Sequence, residues 1–147
     1  MARVSTYLNF PRSTEEAFKF YRTVFGTDFV GPVHRFGDMP AQPGQPPMPP
    51  DDRLLVMHVE LPILGGHVLM GTDAPPSMGF HCQPGNNVYI NLETDSREQT
   101  DQLFAALSVG ATVETPLQQM FWGAYFGSLA DRFGVRWMLN CATPPAA

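Results

Sequence analysis

The stretch YLNFPRSTEEAFKFYRTVFG, residues 7–26, is answered further along by YINLETDSREQTDQLFAALSVGA, residues 89–111. In the first copy, strand vocabulary leads to Ser13 and Glu16, spaced as the S-x-x-E box that caps a helix start. Ala17, Phe20, Tyr21, Val24 and Phe25 then recur at helical spacing, and Gly26 stands where a left-handed C-cap is wanted. In the second copy Ser96 and Gln99 form the equivalent box, Leu103, Ala106 and Leu107 carry the stripe, and Gly110 closes it. A strand followed by a capped helix is therefore predicted twice, 82 residues apart.

The continuation of each copy matches as well. VELPILGGHVLMG (59–71) lies over GSLADRFGVRWML (127–139) without a gap, with Leu61 on Leu129, Gly66 on Gly134 and Met70 on Met138. Both read as a hairpin, an apolar strand turning at glycine into another. Here the spacing is 68, and the difference of 14 is assigned mostly to an insertion in the first half, MPAQPGQPPMPP (39–50), half of it proline. Proline donates no amide and fixes φ, so this segment reads as a surface loop or polyproline-like arm. A second breaker cluster, DAPPSMGFHCQPGNN (73–87), marks the link between the halves. The predicted fold class is α+β. Two pseudo-repeated β-α-β-β-β units, 4–73 and 87–141, form one domain over residues 1–147. Their curved mixed sheets enclose a cleft, with the helices outside.

A chain of 147 residues buries roughly 68–70% of its unfolded surface, enough for a sizeable core. No run of 18 or more apolar residues occurs, so no membrane span is expected, and MARVSTYLNF lacks the basic-then-apolar pattern of a secretory signal. A cytoplasmic location follows as the default. Cys82 and Cys141 have neither zinc-site nor redox-pair spacing and read as ordinary thiols. Net charge is −5, with eight arginines and the single Lys19 scattered along the chain. No basic stripe is present to neutralise phosphates, so a nucleic-acid partner is not expected.

The pattern YLNF…EEAFKFYRTVFG together with the tail FWGAYFGSLADRFGVRWMLN (121–140) resembles the PhnB-like family of the vicinal oxygen chelate superfamily. That superfamily also holds glyoxalase I, bleomycin-resistance proteins and extradiol dioxygenases. The resemblance runs over residues 4–141. It implies a homodimer and, in many members, a divalent metal held by His and Glu. The corresponding positions here are Ser5 or Thr6, Met70, Tyr89 and Met138. None suits a divalent ion, since hard cations want carboxylates and zinc, nickel or iron want imidazole or carboxylate. Neither a metal nor another cofactor is expected. Some relatives carry a name suggesting ubiquinone methyl transfer. A methyltransferase is rejected because no glycine-rich strand-to-helix turn is present to hold a nucleotide-like cofactor.

Strand alternation then predicts what lines the cleft. Tyr7 and Asn9 face in while Leu8 and Phe10 meet the helix; Tyr89, Asn91 and Glu93 face in while Ile90 and Leu92 pack beneath. Met57, Val59 and Leu61 suit the helix side, which turns His58 and Glu60 inward. Arg136, Met138 and Asn140 share a face with Trp137 behind them, and Trp122 is expected at the rim. The candidate ligand-binding set is thus Tyr7, Asn9, His58, Glu60, Met70, Tyr89, Asn91, Trp122, Arg136 and Met138. An apolar wall with sparse polar groups is the usual recipe for a small-molecule pocket, and methionine adapts to varied shapes. An equally plain reading is that these side chains only fill the interior.

The expected function is metal-independent binding of an apolar or aromatic small molecule. The alternative is a lyase, isomerase or other glyoxalase-type enzyme. It would use His58 and Glu60 as an acid–base pair, or those two with His34, His67 or His81 at a displaced metal site.

Overall fold

Both halves of the chain lay their strands down in the same spatial order. A computed structural model describes residues 1–142, which divide into two compact units, 1–83 and 84 onward. The first contains β1 (Thr6–Phe10), α1 (Thr14–Phe25), β2 (His34–Arg35), a single turn α2 (Pro50–Arg53), β3 (Val56–Pro62) and β4 (Val68–Asp73). The second contains β5 (Ile90–Glu93), α3 (Arg97–Leu107), β6 (Thr112–Gln119), β7 (Tyr125–Ala130) and β8 (Arg136–Cys141). The sheets run β1-β4-β3-β2 and β5-β8-β7-β6. In each, the first strand lies parallel to the last and the other neighbours are antiparallel. This is the predicted α+β class, a four-stranded mixed sheet with one main helix, formed twice.

Cross-strand register tests the repeat residue by residue. Val59 opposes Gly71 and Leu61 opposes Leu69, just as Gly127 opposes Leu139 and Leu129 opposes Trp137. The hairpins therefore superpose at a spacing of 68, as read from sequence. The first strands do not superpose at 82. Thr6 pairs with Leu69 and Ile90 with Trp137, which makes Thr6 the counterpart of Ile90 at a spacing of 84. Tyr7 thus corresponds to Asn91, not Tyr89. Side chains alternate with period two, so this slip moves each residue along its row without turning it to the other face.

Capping departs from the prediction at the first helix. Ser13 occupies the N-cap, but its side chain makes no capping bond. Asp73, at the end of β4, instead accepts the Thr14 amide at 3.0 Å and the Val56 amide at 2.8 Å. In the second unit Ser96 Oγ does accept the Gln99 amide at 3.1 Å, while Gln99 Oε1 reaches the Asp95 amide at 2.8 Å rather than that of Ser96. Gly26 adopts φ 65° and sends its amide to Arg22 O, the left-handed cap that glycine permits. The helix α3 ends at Ser108, in αR conformation, two residues before Gly110.

Packing follows from the faces. Helix α1 buries Ala17, Phe18 and Tyr21 in a core with Val59, Leu61 and Leu69. Phe20, Val24 and Phe25, placed in the stripe from sequence, are only half-buried. A Cβ on Gly71 would collide with the Phe18 ring, its Cζ at 2.8 Å, so glycine there lets the helix approach. In the second unit Leu92, Leu103, Leu107, Leu129, Trp137 and Leu139 are buried. Each such side chain contributes about 1.5–3 kcal/mol when removed from water. Met57 does not join the helix side, contrary to alternation. His34 opposes His58 but Arg35 opposes Val56, so Met57 is the extra residue of a bulge and Val56 is buried in its place.

Residues 40–49 form neither helix nor strand, as the proline content requires, and the boundary at Gln83/Pro84 falls inside the second breaker cluster. No described helix is long and apolar enough to cross a membrane.

Candidate ligand-binding faces

The helix covers one face of each sheet, and alternation sends the predicted ligand-binding residues to the other. In the first unit Tyr7 on β1, Met70 on β4 and Glu60 on β3 occupy one row, since Met70 pairs with both neighbours. The Tyr7 phenol spans β4 to reach His58: Oη lies 3.2 Å from Nδ1, and the ring centroids are 5.9 Å apart. His58 Nε2 then lies 3.2 Å from Glu60 Oε1. Tyr7, His58, Glu60 and Met70 are thus neighbours on one face of the sheet. Burial holds the Tyr7 pKa above its ordinary value, which keeps the phenol protonated at neutral pH. Asn9 is exposed opposite Thr72, and its carbonyl accepts a 3.4 Å contact from Cys82 Sγ.

The second unit builds a different network. Met138 pairs with Asn91 on one side and Ser128 on the other, the row equivalent to Tyr7–Met70–Glu60. The position matching His58 is Phe126. Polar contacts gather around Glu114 on β6, a residue that sequence reasoning missed. Arg136 Nη1 donates to Glu114 Oε2 at 2.7 Å, and Tyr89 Oη donates to both carboxylate oxygens at 3.0 and 3.1 Å. Arg136 Nε also donates to Gly85 O at 3.1 Å. Tyr89 first, then Glu114, holds the Arg136 guanidinium's pKa above its ordinary value. Strands three steps apart would stand roughly 14 Å apart in a flat sheet. The Tyr89 side chain, beside β5, and the Glu114 side chain on β6 together bridge that span. Trp122 lies apart from both networks, in the β6–β7 turn, against Phe121 and Phe126.

The positions to which the family resemblance assigns metal ligands do not fit an ion here. Thr6 Oγ1 is 2.8 Å from His67 Nε2, the Tyr89 phenol is committed to Glu114, and Met70 and Met138 offer only thioethers. Among the described residues no group of three or more His, Cys, Asp or Glu is placed to hold an ion. Of the displaced set, His67 is turned to Thr6 and His81 lies exposed in the linker, while His34 stands opposite His58 without forming a group of three or more ligating residues among those described.

Two concavities in the first unit lie away from these residues. One sits under α1 between Phe18, Phe29, Val33 and Val59, and a wider one is bounded by Phe36, Arg53 and the proline-rich loop.

A four-stranded mixed sheet formed twice, with matching register, is the architecture of the glyoxalase and bleomycin-resistance proteins, and comparison with known proteins agrees. The family described as 3-demethylubiquinone-9 3-methyltransferase matches residues 2–140. The chain is similar to protein PA1353 from Pseudomonas aeruginosa, with 34% identity, TM-score 0.79 and coverage of 96% of this chain and 98% of that one. It is similar to the PhnB protein from Bacillus cereus, with 25% identity, TM-score 0.73 and coverage of 96% and 100%. It shares its fold with a glyoxalase/bleomycin resistance/dioxygenase family enzyme from Burkholderia phytofirmans PsJN, at 19% identity, TM-score 0.61 and coverage of 94% and 98%. The chain belongs to the 3-demethylubiquinone-9 3-methyltransferase family, in which its likeness to the PhnB protein places it among PhnB-like chains.

Proposed function

We propose that this PhnB-like chain binds an apolar or aromatic small molecule on the open faces of its sheets without using a metal ion. The observation that carries the reading is the pair Met70 and Met138, in equivalent rows, at positions to which the family resemblance would assign metal ligands. Thioethers attract organic surface and hold hard or borderline divalent ions poorly. Methyl transfer is not supported. The turns into the helices read Pro11-Arg12-Ser13 and Thr94-Asp95-Ser96, without the glycines that let a backbone approach a nucleotide-like cofactor. A cytoplasmic homodimer is part of the same proposal, and equilibrium sedimentation tests the dimer.

Titration calorimetry with a panel of apolar aromatic compounds, before and after exhaustive chelation, tests the binding. Affinity is expected to survive chelation and to fall at least about tenfold (about 1.4 kcal/mol) in Met70→Glu. Binding that is lost on chelation and restored by nickel, zinc, iron or manganese overturns the metal-free reading.

A second reading, proton-transfer catalysis by His58 and Glu60, is favoured by one observation, the 3.2 Å contact between them. Metal-free turnover of a carbonyl substrate, lost in Glu60→Gln, would establish it.

A further inference from the structure

We propose that Tyr7, His58 and Glu60 form a proton relay that holds a phenol or enol on the first unit as its oxyanion. The proposal rests on the ligand-binding reading above and names the chemical class of the ligand. The direction of the relay follows from its geometry. His58 Nε2 faces a carboxylate, an acceptor only, so Nε2 carries the N–H. That leaves Nδ1 as acceptor for the Tyr7 hydroxyl, 3.2 Å away. The raised pKa of Tyr7 agrees, because the proton to be passed stays on the phenol until it moves.

An incoming hydroxyl can donate to the free lone pair of Tyr7 Oη, a residue 46% exposed. In the transfer step the ligand O–H bond breaks and its proton joins Tyr7 Oη, while the proton already on Tyr7 moves to His58 Nδ1. A neutral ligand and neutral imidazole become an oxyanion and an imidazolium, so net charge is unchanged and no oxidant or reductant is needed. The imidazolium keeps its Nε2–H on Glu60, and Tyr7 donates its new O–H back to the oxyanion. Met70, in the row between Tyr7 and Glu60, offers apolar contact to the rest of the ligand.

Acidity selects the class. A carboxylic acid arrives ionised and has no proton to give. An aliphatic alcohol is nearly as weak an acid as water and keeps its proton against an imidazole. Phenols and enols lie nearer imidazole, within a few units of about 6.5. The arrangement is confined to one half of the repeat. The second unit carries Phe126 and Ser128 where the first has His58 and Glu60, so the sheet itself does not require the trio.

The experiment uses the full chain and 4-nitrophenol, whose anion absorbs visible light and whose neutral form does not, buffered just below the probe's own pKa, where an ordinary imidazole is still largely neutral. Equilibrium dialysis measures binding, absorbance measures the bound anion, and 4-nitroanisole serves as the probe without a proton. The wild type is expected to bind both and to raise the anion band to saturation. Tyr7→Phe and His58→Gln are expected to lose the band at least about tenfold per nitrophenol bound, with 4-nitroanisole affinity in each variant measuring any loss of plain contact. Bound but colourless nitrophenol in the wild type, or an undiminished band in both variants, overturns the relay alone. Failure to bind either probe overturns the relay together with the ligand-binding reading.

Discussion

The carboxylate of Asp73 accepts the backbone amide of Thr14 at 3.0 Å, so the last residue of β4 caps a helix that begins 59 residues earlier in the chain. Its other oxygen takes the amide of Val56, and Asp73 is 2% exposed. One side chain thereby locks α1 and β3 to the end of β4. Asp73→Ala strands two buried amides and is expected to cost about 3 kcal/mol. Asp73→Asn, which retains one acceptor, should cost less. Ser13→Ala should change stability by less than about 0.5 kcal/mol, because the Ser13 side chain caps nothing. Denaturant melts of the three variants check this ordering.

Gly71 is tied to Phe18 by shape. A methyl group at position 71 points into the Phe18 ring and within 3.2 Å of Thr14 Cγ2. Gly71→Ala is expected to destabilise by about 1–3 kcal/mol through overpacking. Phe18→Leu in the same chain should recover part of the loss, so a double-mutant cycle should show coupling. Strict additivity would mean the helix shifts away instead.

Arg35 meets Glu15 as a fork, at 3.2 and 2.7 Å, and ties α1 to β2. The Arg35 hydrogen bond lowers the Glu15 pKa in the folded state, with burial opposing and the charges of Arg35 and Lys19 assisting. A carboxylate with a depressed folded pKa adds stability above its unfolded pKa of about 4.3. That stability is lost as the pH falls through the lowered folded value. Glu15 is 41% exposed, so the pair is expected to contribute less than about 1 kcal/mol. Wild type should melt above Glu15→Gln at neutral pH, and the gap should close in acid. A gap that persists there would assign the effect to packing.

The two tryptophans should report separately. Trp137 is 0% exposed and donates Nε1–H to Asp131 Oδ2 at 2.9 Å, whereas Trp122 is 56% exposed. Acrylamide is expected to quench Trp122 and spare Trp137, and Trp122→Phe should leave a blue-shifted, unquenched emission. Strong quenching of that variant would contradict the buried ring.

The fold was legible because its signals are local and repeated. Helical spacing, hairpin glycines and a proline-rich interruption mark β1, α1, β3 and β4 of the first unit but neither β2 nor α2, and the 68-residue spacing of the hairpins is reproduced by their pairing. The spacing of the first strands was not legible. YLNF and YINL align at 82 by letter, yet pairing with the last strand sets 84, and a slip of two leaves apolar and polar residues on the same faces. Phe18 was missed because α1 carries aromatics around much of its circumference, and only tertiary packing selects the buried side. Asp73 and Glu114 were missed for a related reason. Their partners lie far away in sequence, and no local pattern distinguishes a capping or bridging carboxylate from a solvated one.

The even-numbered offset between the two first strands has a consequence for how such a duplicated scaffold diversifies. Sliding a strand by two exchanges the residue at a given address for its neighbour but one, and leaves the inside of the sheet untouched. Tyr7 in one half and Asn91 in the other occupy the same address in this way. An architecture that accepts such a shift can give its halves unlike reactivity, an imidazole on one and a guanidinium on the other, without redesigning either core.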